Sequence, residues 1–129
     1  ELKSRGLGDV YKRQAKSMIK ALKQNEDLAL LIDQRDSSGL EIDFFGKKVL
    51  ATDGFANLAI KYKTMICPVY SIRNQNNKFQ IIFEKPLRYE EYKNYDVKGL
   101  VEMFHKKYFE KWITHSPSQW LWVHKRWKL

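Results

Sequence analysis

The 129-residue sequence lacks several features that would assign it directly to a protein class. Its single cysteine, Cys67, excludes an internal disulfide and a zinc site built from several thiolates. No apolar run in the sequence approaches the roughly 20 residues that a membrane-spanning helix needs, and no segment has the pattern of a signal peptide. Cys67 lies in the apolar run 65–69, which predicts a small buried side chain rather than a nucleophile.

The sequence does contain enough apolar and aromatic residues for one core, together with a marked excess of positive charge. Hydrophobic residues make up 43% of the chain and aromatic residues 14%, which suits one compact domain and not a disordered chain. Lys and Arg together number 24 against 15 Asp and Glu, a net charge of +9. This charge predicts an anionic partner: a membrane leaflet, a phosphorylated substrate, nucleic acid or an acidic carrier protein. Composition does not rank these four.

The hydrophobic pattern predicts helices and strands in alternation. Helices are predicted at about 15–24, after Thr52 or Asp53, and from Asp96 to Pro117, and strands at 28–32, 40–45, 65–72 and 78–83. The run 28–32 is continuously apolar, as in a strand covered on both faces. Residues 1–14 are predicted to be an irregular or non-native opening segment, and residues 15–129 the C-terminal part of one domain. This order indicates the α/β class, with a mixed β-sheet flanked by helices.

Asp33 and Gln34 directly follow the predicted strand 28–32. In open α/β sheets the carboxyl ends of strands present functional groups to a cleft. A loop aspartate that caps neighbouring backbone N–H groups would account for the same residues. Both interpretations stay open on the residues alone.

The segment 120–128 is the most unusual part of the sequence, with three tryptophans, a histidine and three cations within nine positions. Large amphipathic rings beside cations suit a boundary between apolar and aqueous phases, or a site that binds anionic groups. The candidates for substrate or membrane binding are Trp122, His124, Lys125, Arg126, Trp127 and Lys128. The alternative is a segment that packs its tryptophans on the sheet and turns its cations to solvent. We expect a mixed arrangement, with Trp120 buried and the Arg126–Trp127 end exposed.

The three histidines, His105, His115 and His124, show no spacing typical of a metal site or of a nucleophile and its base. His105 is expected on the flank of the last long helix rather than in its core stripe. No metal, cofactor or catalytic residue is therefore predicted within this chain.

Together these motifs resemble the lipid A biosynthesis acyltransferase family, the lauroyl and myristoyl transferases of Gram-negative envelopes. The order and spacing fit from about residue 15 to the end, and the Asp-Gln pair and the closing motif are the specific parts. Asp53 departs from the family, which commonly has proline in a Thr-Pro-Gly turn at this place. The motifs that carry the resemblance are Ile32-Asp33-Gln34, Phe44-Phe45-Gly46, Thr52 to Ala59, Cys67-Pro68-Val69 and the closing motif, Ser116 to Lys128.

The resemblance implies a glycerolipid-acyltransferase-like fold, incomplete at its N-terminus, in a membrane-bound enzyme. Such an enzyme transfers a fatty acyl group from an acyl carrier protein thioester to a hydroxyl of a lipid A precursor in lipopolysaccharide biosynthesis. It works without a cofactor, at the cytoplasmic face of the inner membrane. By the same resemblance Asp33 and Gln34 support the active site, and Arg5 is the match to an arginine that the family has ahead of its Asp-Gln pair.

The family's general base is a histidine followed four residues later by an acid, and this pattern is absent from the sequence. The residues at that spacing from the three histidines are Phe109, Gln119 and Lys128. We therefore expect the histidine–acid pair and a membrane anchor in an upstream segment, and we expect the isolated chain to be inactive.

Two functions from other classes also fit the charge: a module that binds single-stranded nucleic acid and a noncatalytic membrane-surface domain. The aromatic residues cluster at the end of the sequence instead of alternating along paired strands, which disfavours nucleic acid. The predicted partners are therefore an acyl carrier protein, a lipid A precursor and the inner-membrane surface, without nucleic acid.

Overall fold

The computed structural model describes residues 2–121 and 125–127, with side chains from Arg13 onward. The chain divides after Leu30 into two units. The helices and strands are, in chain order, α1 (Leu2–Lys23), β1 (Arg35–Phe44), β2 (Lys47–Ala51), α2 (Gly54–Tyr62), β3 (Val69–Arg73), β4 (Phe79–Phe83), α3 (Tyr89–Tyr92), α4 (Val97–Phe104), a π-helical turn (His105–Phe109), α5 (Glu110–His115) and a 3-10 turn (Pro117–Gln119). No helix within these described ranges is long and apolar enough to cross a membrane.

α1 ends where the sequence predicts, at the asparagine that follows it. Asn25 adopts a left-handed conformation with φ of 59°, and the Glu26 N–H donates to the Ala21 carbonyl at 2.9 Å, a common way to end a helix. The helix begins at Leu2, so the backbone of residues 2–14 is helical where we predicted an irregular segment. Lys, Arg, Leu and Gln favour helix strongly enough to offset the two glycines there. The domain boundary at residue 14 stays a prediction.

The predicted strand at residues 28–32 is wrong. These residues form no regular element, and the Leu31 side chain is 84% exposed. A strand covered on both faces needs neighbouring strands to pair with its backbone. None of the described residues pairs with this run.

β1 and β2 form an antiparallel hairpin that supplies one side of the core. Pairing runs from Leu40↔Ala51 to Phe44↔Lys47, and the inward side chains of both strands are fully buried. The connecting residues Phe45 and Gly46 both have positive φ, 52° and 76°, as a two-residue type I′ turn requires. The extended segment predicted at 40–45 is confirmed, and the strand starts earlier, at Arg35.

Gly39 occupies a place in this hairpin that has no room for a side chain. The register jumps from Arg35↔Ala51 to Leu40↔Ala51, so the intervening residues loop out of the ladder. A Cβ atom on Gly39 would lie 2.0 Å from the Ala51 carbonyl oxygen. We expect Gly39→Ala to lower the free energy of unfolding by about 1–3 kcal/mol, the usual cost of overpacking. Urea denaturation measures it. Gly54→Ala is the matched control, since its new Cβ would have its nearest neighbour at 4.0 Å; equal stabilities of the two variants would contradict the clash.

The strands predicted at 65–72 and 78–83 are confirmed as β3 and β4, which pair as an antiparallel hairpin with register from Val69↔Phe83 to Arg73↔Phe79. Its strands are shorter than predicted and are not buried, because only one of the two faces is covered. Cys67, just before β3, is exposed, so its predicted burial is wrong. The α/β class is confirmed, but among the described residues the strands form two separate two-stranded antiparallel sheets instead of one mixed sheet.

The helices pack on the first hairpin as their apolar stripes predict. The Asp96 Oδ1 atom accepts from the Gly99 N–H at 2.7 Å and begins α4, and Pro117 follows the end of α5. Between α4 and α5 the chain continues helically through the π-helical turn. The buried hydrophobic core comprises Ile42, Phe44, Val49, Ala51, Phe55, Ala56, Ala59, Leu87, Tyr92, Leu100, Val101, Phe104, Tyr108, Phe109 and Ile113.

Candidate functional site

Arg126, in the closing motif, is buried at the centre of the candidate site. Its side chain is 1% exposed, so the predicted exposure of the Arg126–Trp127 end is wrong at this residue. Its guanidinium donates three hydrogen bonds to other segments: Nε to the Asp33 carbonyl at 2.9 Å, one terminal nitrogen to the Leu50 carbonyl at 2.9 Å, and the other to His105 Nε2 at 2.7 Å. A buried polar group is tolerated when its hydrogen bonds are made. We call these four residues the Arg126 cluster.

His105 is the buried side-chain acceptor of the Arg126 cluster. It is fully buried at the start of the π-helical turn, so its predicted place on the helix flank is wrong. Nδ1 lies 2.9 Å from the Val101 carbonyl and must donate to it, which leaves Nε2 unprotonated and able to accept from Arg126. Burial lowers the pKa of His105 to about 4. The positive charge of Arg126 also lowers this pKa, whereas the hydrogen bond to the Val101 carbonyl raises it.

The charge of Arg126 is held without a close counter-ion. Among the described residues no carboxylate lies within ion-pair distance of the guanidinium. Burial lowers the pKa of Arg126, while the Asp33 charge acts in the opposite direction. Carbonyl dipoles and an imidazole lone pair therefore take the place of an acid, which suits a guanidinium because it presents several donors in a fixed plane.

Phe44 connects the Arg126 cluster to the tryptophans of the closing motif. The Trp127 ring stacks on the Phe44 ring at 5.2 Å and 10°, and Trp127 Nε1 donates to the Phe44 carbonyl at 3.1 Å. The His105 ring meets Phe44 edge-on at 5.1 Å, and the Arg126 guanidinium lies 5.5 Å from the Phe44 ring centre. Trp120 approaches the same ring edge-on at 6.3 Å and is partly buried. Trp120, Arg126 and Trp127 of the closing motif are thus packed against the core.

The structure joins Asp33 to the closing motif through its backbone. Asp33 is half-buried in the bend that precedes β1, and Gln34 beside it is exposed. Arg126 binds the backbone carbonyl of Asp33 and not its side chain. The Asp33 carboxylate is therefore left for other partners. Both interpretations of Asp33 drawn from the sequence therefore remain predictions.

Of the remaining predicted site residues, only some lie in the part of the chain that the structure describes. Lys125 is exposed, as predicted for a cation that meets solvent or a partner. Trp122, His124 and Lys128 lie outside the described residues, and so does the side chain of Arg5. Their predicted roles stay predictions.

Sequence reasoning missed His105 and Leu50 as partners of Arg126. Position 105 lies one turn after Val101 on α4 and next to Phe104, a spacing that places it on the buried face of a continuous helix. That spacing was a usable signal for His105. Leu50 acts through its carbonyl, and no side-chain pattern identifies a backbone acceptor.

The chemistry open to this arrangement is binding and positioning. His105 is a weak base with no access to solvent, so it is unsuited to deprotonate a substrate at neutral pH. Within the described part of the chain, no group of three or more His, Cys, Asp or Glu side chains comes together to hold a metal ion.

One of the comparisons with known proteins identifies a family. No curated protein matches the sequence. The model of the bacterial lipid A biosynthesis acyltransferase family matches residues 3–129, a range that includes both Asp33-Gln34 and the closing motif. A match over nearly the whole sequence shows that this chain belongs to the bacterial lipid A biosynthesis acyltransferases.

Proposed function

We propose that the protein to which this chain belongs transfers a fatty acyl group from an acyl carrier protein thioester to a hydroxyl of a lipid A precursor. The hydroxyl oxygen attacks the thioester carbonyl carbon, the new C–O bond forms as the C–S bond breaks, and the hydroxyl proton ends on the departing thiol. The family supports acyl transfer in lipid A biosynthesis in general terms. The carrier-protein donor and a location at the cytoplasmic face of the inner membrane are our proposal.

The observation that carries the proposal is the meeting of the two specific motifs in space. Arg126 of the closing motif binds the carbonyl of Asp33, although 93 positions separate them in the sequence. Neither residue needs this contact for a local turn or cap. A long-range bond between two family motifs is what a shared functional site requires, and it favours the family's chemistry over an unrelated use of the fold.

In this proposal Arg126 is a positioning residue and Asp33 supports the active site. The guanidinium fixes the backbone at Asp33, so the half-buried carboxylate is held for a cationic or imidazole partner near the reacting groups. Gln34 and Lys125, which are both exposed, contact the acceptor in this proposal. The general base is expected from the histidine–acid pair of the family, since His105 is buried with a pKa of about 4.

Nucleic-acid binding by the closing motif is the weaker alternative. Stacking on bases needs accessible rings beside accessible cations. Trp127 is instead stacked on Phe44, and the Arg126 guanidinium is occupied by three acceptors within the core. These two residues of the closing motif are therefore engaged within the protein.

We expect Asp33→Asn in the full-length protein to lower kcat by more than about tenfold, beyond a minor positioning effect. The measurement is transfer from a labelled acyl carrier protein thioester to a detergent-solubilised lipid A precursor, with the melting temperature recorded alongside. Asp36→Asn is the matched control, because the hydrogen bonds that the described residues give to the Asp36 carboxylate are local ones, from the backbone and side chain of Ser38. Absence of acylated product from the unmodified protein would contradict the proposed reaction. Equal kcat values for the two variants would contradict the role of Asp33 but not the proposed reaction.

A further inference from the structure

The peptide group between Phe44 and Phe45 is held from both sides by other segments of the chain. Its carbonyl accepts from Trp127 Nε1 of the closing motif at 3.1 Å. Its N–H donates to the carboxylate of Glu110, the first residue of α5. The peptide group belongs to the Phe44-Phe45-Gly46 motif. A residue outside the closing motif therefore binds the same peptide group as the closing motif does.

The orientation of this peptide group controls the turn of the first hairpin. Phe45 has a φ of 52°, in the left-handed region that a bulky side chain rarely adopts, whereas Gly46 takes its φ of 76° freely. Asparagine, aspartate or glycine usually occupies the position of Phe45 in a type I′ turn. Because φ of Phe45 changes when the preceding peptide group rotates, the two hydrogen bonds on that group oppose its rotation. Backbone conformations of this kind persist where surrounding contacts impose them, and they are concentrated at functional sites.

The π-helical turn directs Glu110 to the first hairpin. The Glu110 N–H donates to the His105 carbonyl, five positions earlier. Residues 105 and 110 would lie about 140° apart around a regular α-helix. A turn closed over five positions brings them to nearly the same side. The His105 ring accordingly meets the Phe44 ring at 5.1 Å, and the Glu110 carboxylate binds the next backbone N–H. One widened turn thus aims a member of the Arg126 cluster and Glu110 at the same motif.

The contact of Glu110 with a backbone N–H is notable because cations are plentiful nearby. Glu110 is the one acid between residues 105 and 129, a segment with six lysines and arginines. Within the described part of the chain it forms no ion pair with any of them. A hydrogen bond from an N–H to a carboxylate is stronger than one between neutral groups. The charge of Glu110 therefore serves the turn of the hairpin and not the neighbouring cations.

We propose that Glu110 is a positioning residue for acyl transfer, which acts through this peptide group on Trp127 and on the adjacent Arg126. If the peptide group rotated, the Phe44 carbonyl would turn away from Trp127 Nε1, and Trp127 would lose this hydrogen bond. The loss would loosen the closing motif next to the residue that binds the Asp33 carbonyl. The inference rests on the proposed function, in which Asp33 supports the active site.

Amide hydrogen exchange of the ¹⁵N-labelled chain tests these contacts without any acyl donor or acceptor. We expect the Phe45 amide proton to exchange at least about tenfold faster in Glu110→Leu, which removes the acceptor, and to stay protected in Glu110→Gln, whose amide oxygen still accepts. Glu102→Leu is the matched control, because Glu102 on α4 accepts from a different N–H of the same strand, that of Asp43, at 3.4 Å. Unchanged exchange of the Phe45 amide in Glu110→Leu overturns the proposal.

Transfer assays on the full-length protein in detergent test the role in the reaction. Glu110→Leu should lower kcat by about tenfold with little change in KM for the acyl carrier protein thioester, because positioning is lost and binding is kept. Glu110→Gln should restore most of kcat, and Glu102→Leu should keep it. Glu110→Asp retains the charge but is one methylene shorter. It should lower kcat in the same way at less cost to folding, so it decides the matter if Glu110→Leu does not fold.

A double-mutant cycle with Trp127→Phe tests whether Glu110 acts through the peptide group. Phenylalanine keeps an aromatic ring against Phe44 but has no N–H to donate. In that background Glu110→Leu should lower kcat further by less than about twofold, since both substitutions release the same group. Additive losses overturn the proposal, as do equal kcat values for Glu110→Leu and Glu102→Leu. Absence of product from the unmodified protein would instead contradict the proposed function, whatever the exchange of the Phe45 amide shows.

Discussion

Arg126→Met is expected to lower the free energy of unfolding by about 3–5 kcal/mol, because it leaves three buried acceptors without their donor. Methionine fills similar space and removes the charge, but it leaves the Asp33 carbonyl, the Leu50 carbonyl and His105 Nε2 without their donor. A buried acceptor left without a partner costs roughly 1–3 kcal/mol. The variant no longer buries a cation, and this gain offsets part of the summed cost of the three unpaired acceptors. Urea denaturation at pH 7 measures the difference.

Lys125→Met is the matched control for this variant. It makes the same substitution of a cation at the neighbouring position, where the side chain is exposed, and should change stability by less than about 0.5 kcal/mol. Arg126→Lys should fall between the two, because an ammonium keeps the charge but cannot reach three acceptors in one plane. Equal stabilities of Arg126→Met and Lys125→Met would show that the Arg126 cluster contributes little to the fold.

The second large effect is a loss of stability on acidification that His105 controls. The pKa of His105 is about 4 in the folded chain against an ordinary value of 6.5, so the unfolded chain binds the proton more strongly. The stabilising contribution is therefore complete above pH 6.5 and is lost as the pH falls to about 4. The difference of pKa corresponds to about 3 kcal/mol. Unfolding free energies measured at intervals from pH 7 to pH 4 give the slope.

His105→Gln isolates this contribution from the other groups that titrate in the same range. The glutamine oxygen can accept from Arg126 in place of Nε2, and the amide does not titrate. The variant should lose less stability than the unmodified chain between pH 6.5 and 4, with the two curves converging at low pH. Parallel curves over that window would mean that His105 is accessible to protons in the folded state.

The sequence predicts the helix that begins at α4 and the β3–β4 hairpin because their signals are local. One helix is defined by signals that lie within it or directly beside it. These are the periodic apolar stripe of α4, the aspartate at position 96 and Pro117. The turn at 74–77 likewise identifies the β3–β4 hairpin. The apolar run 28–32 was misleading because strand formation depends on pairing partners, which a run of hydrophobic residues does not specify.

The candidate site was predicted only in part, for a similar reason. Asp33 and the closing motif were singled out by their residue types and by the family resemblance. That Arg126 is buried was not predictable from its type, since arginine is mostly exposed in proteins and becomes tolerable inside only when distant acceptors converge on it. Those acceptors are two backbone carbonyls and a histidine on three other segments. Their convergence is a property of the tertiary structure.

The most direct test of the buried Arg126 cluster is the protonation state of His105, read by long-range ¹H–¹⁵N NMR on the labelled chain at pH 6. The predicted result is a neutral imidazole with its proton on Nδ1, since Nδ1 donates to Val101 and Nε2 accepts from Arg126. The signals should disappear or shift in Arg126→Met, which removes the donor. A doubly protonated ring at pH 6, or a proton on Nε2, would contradict the account, because neither form can accept a hydrogen bond from Arg126.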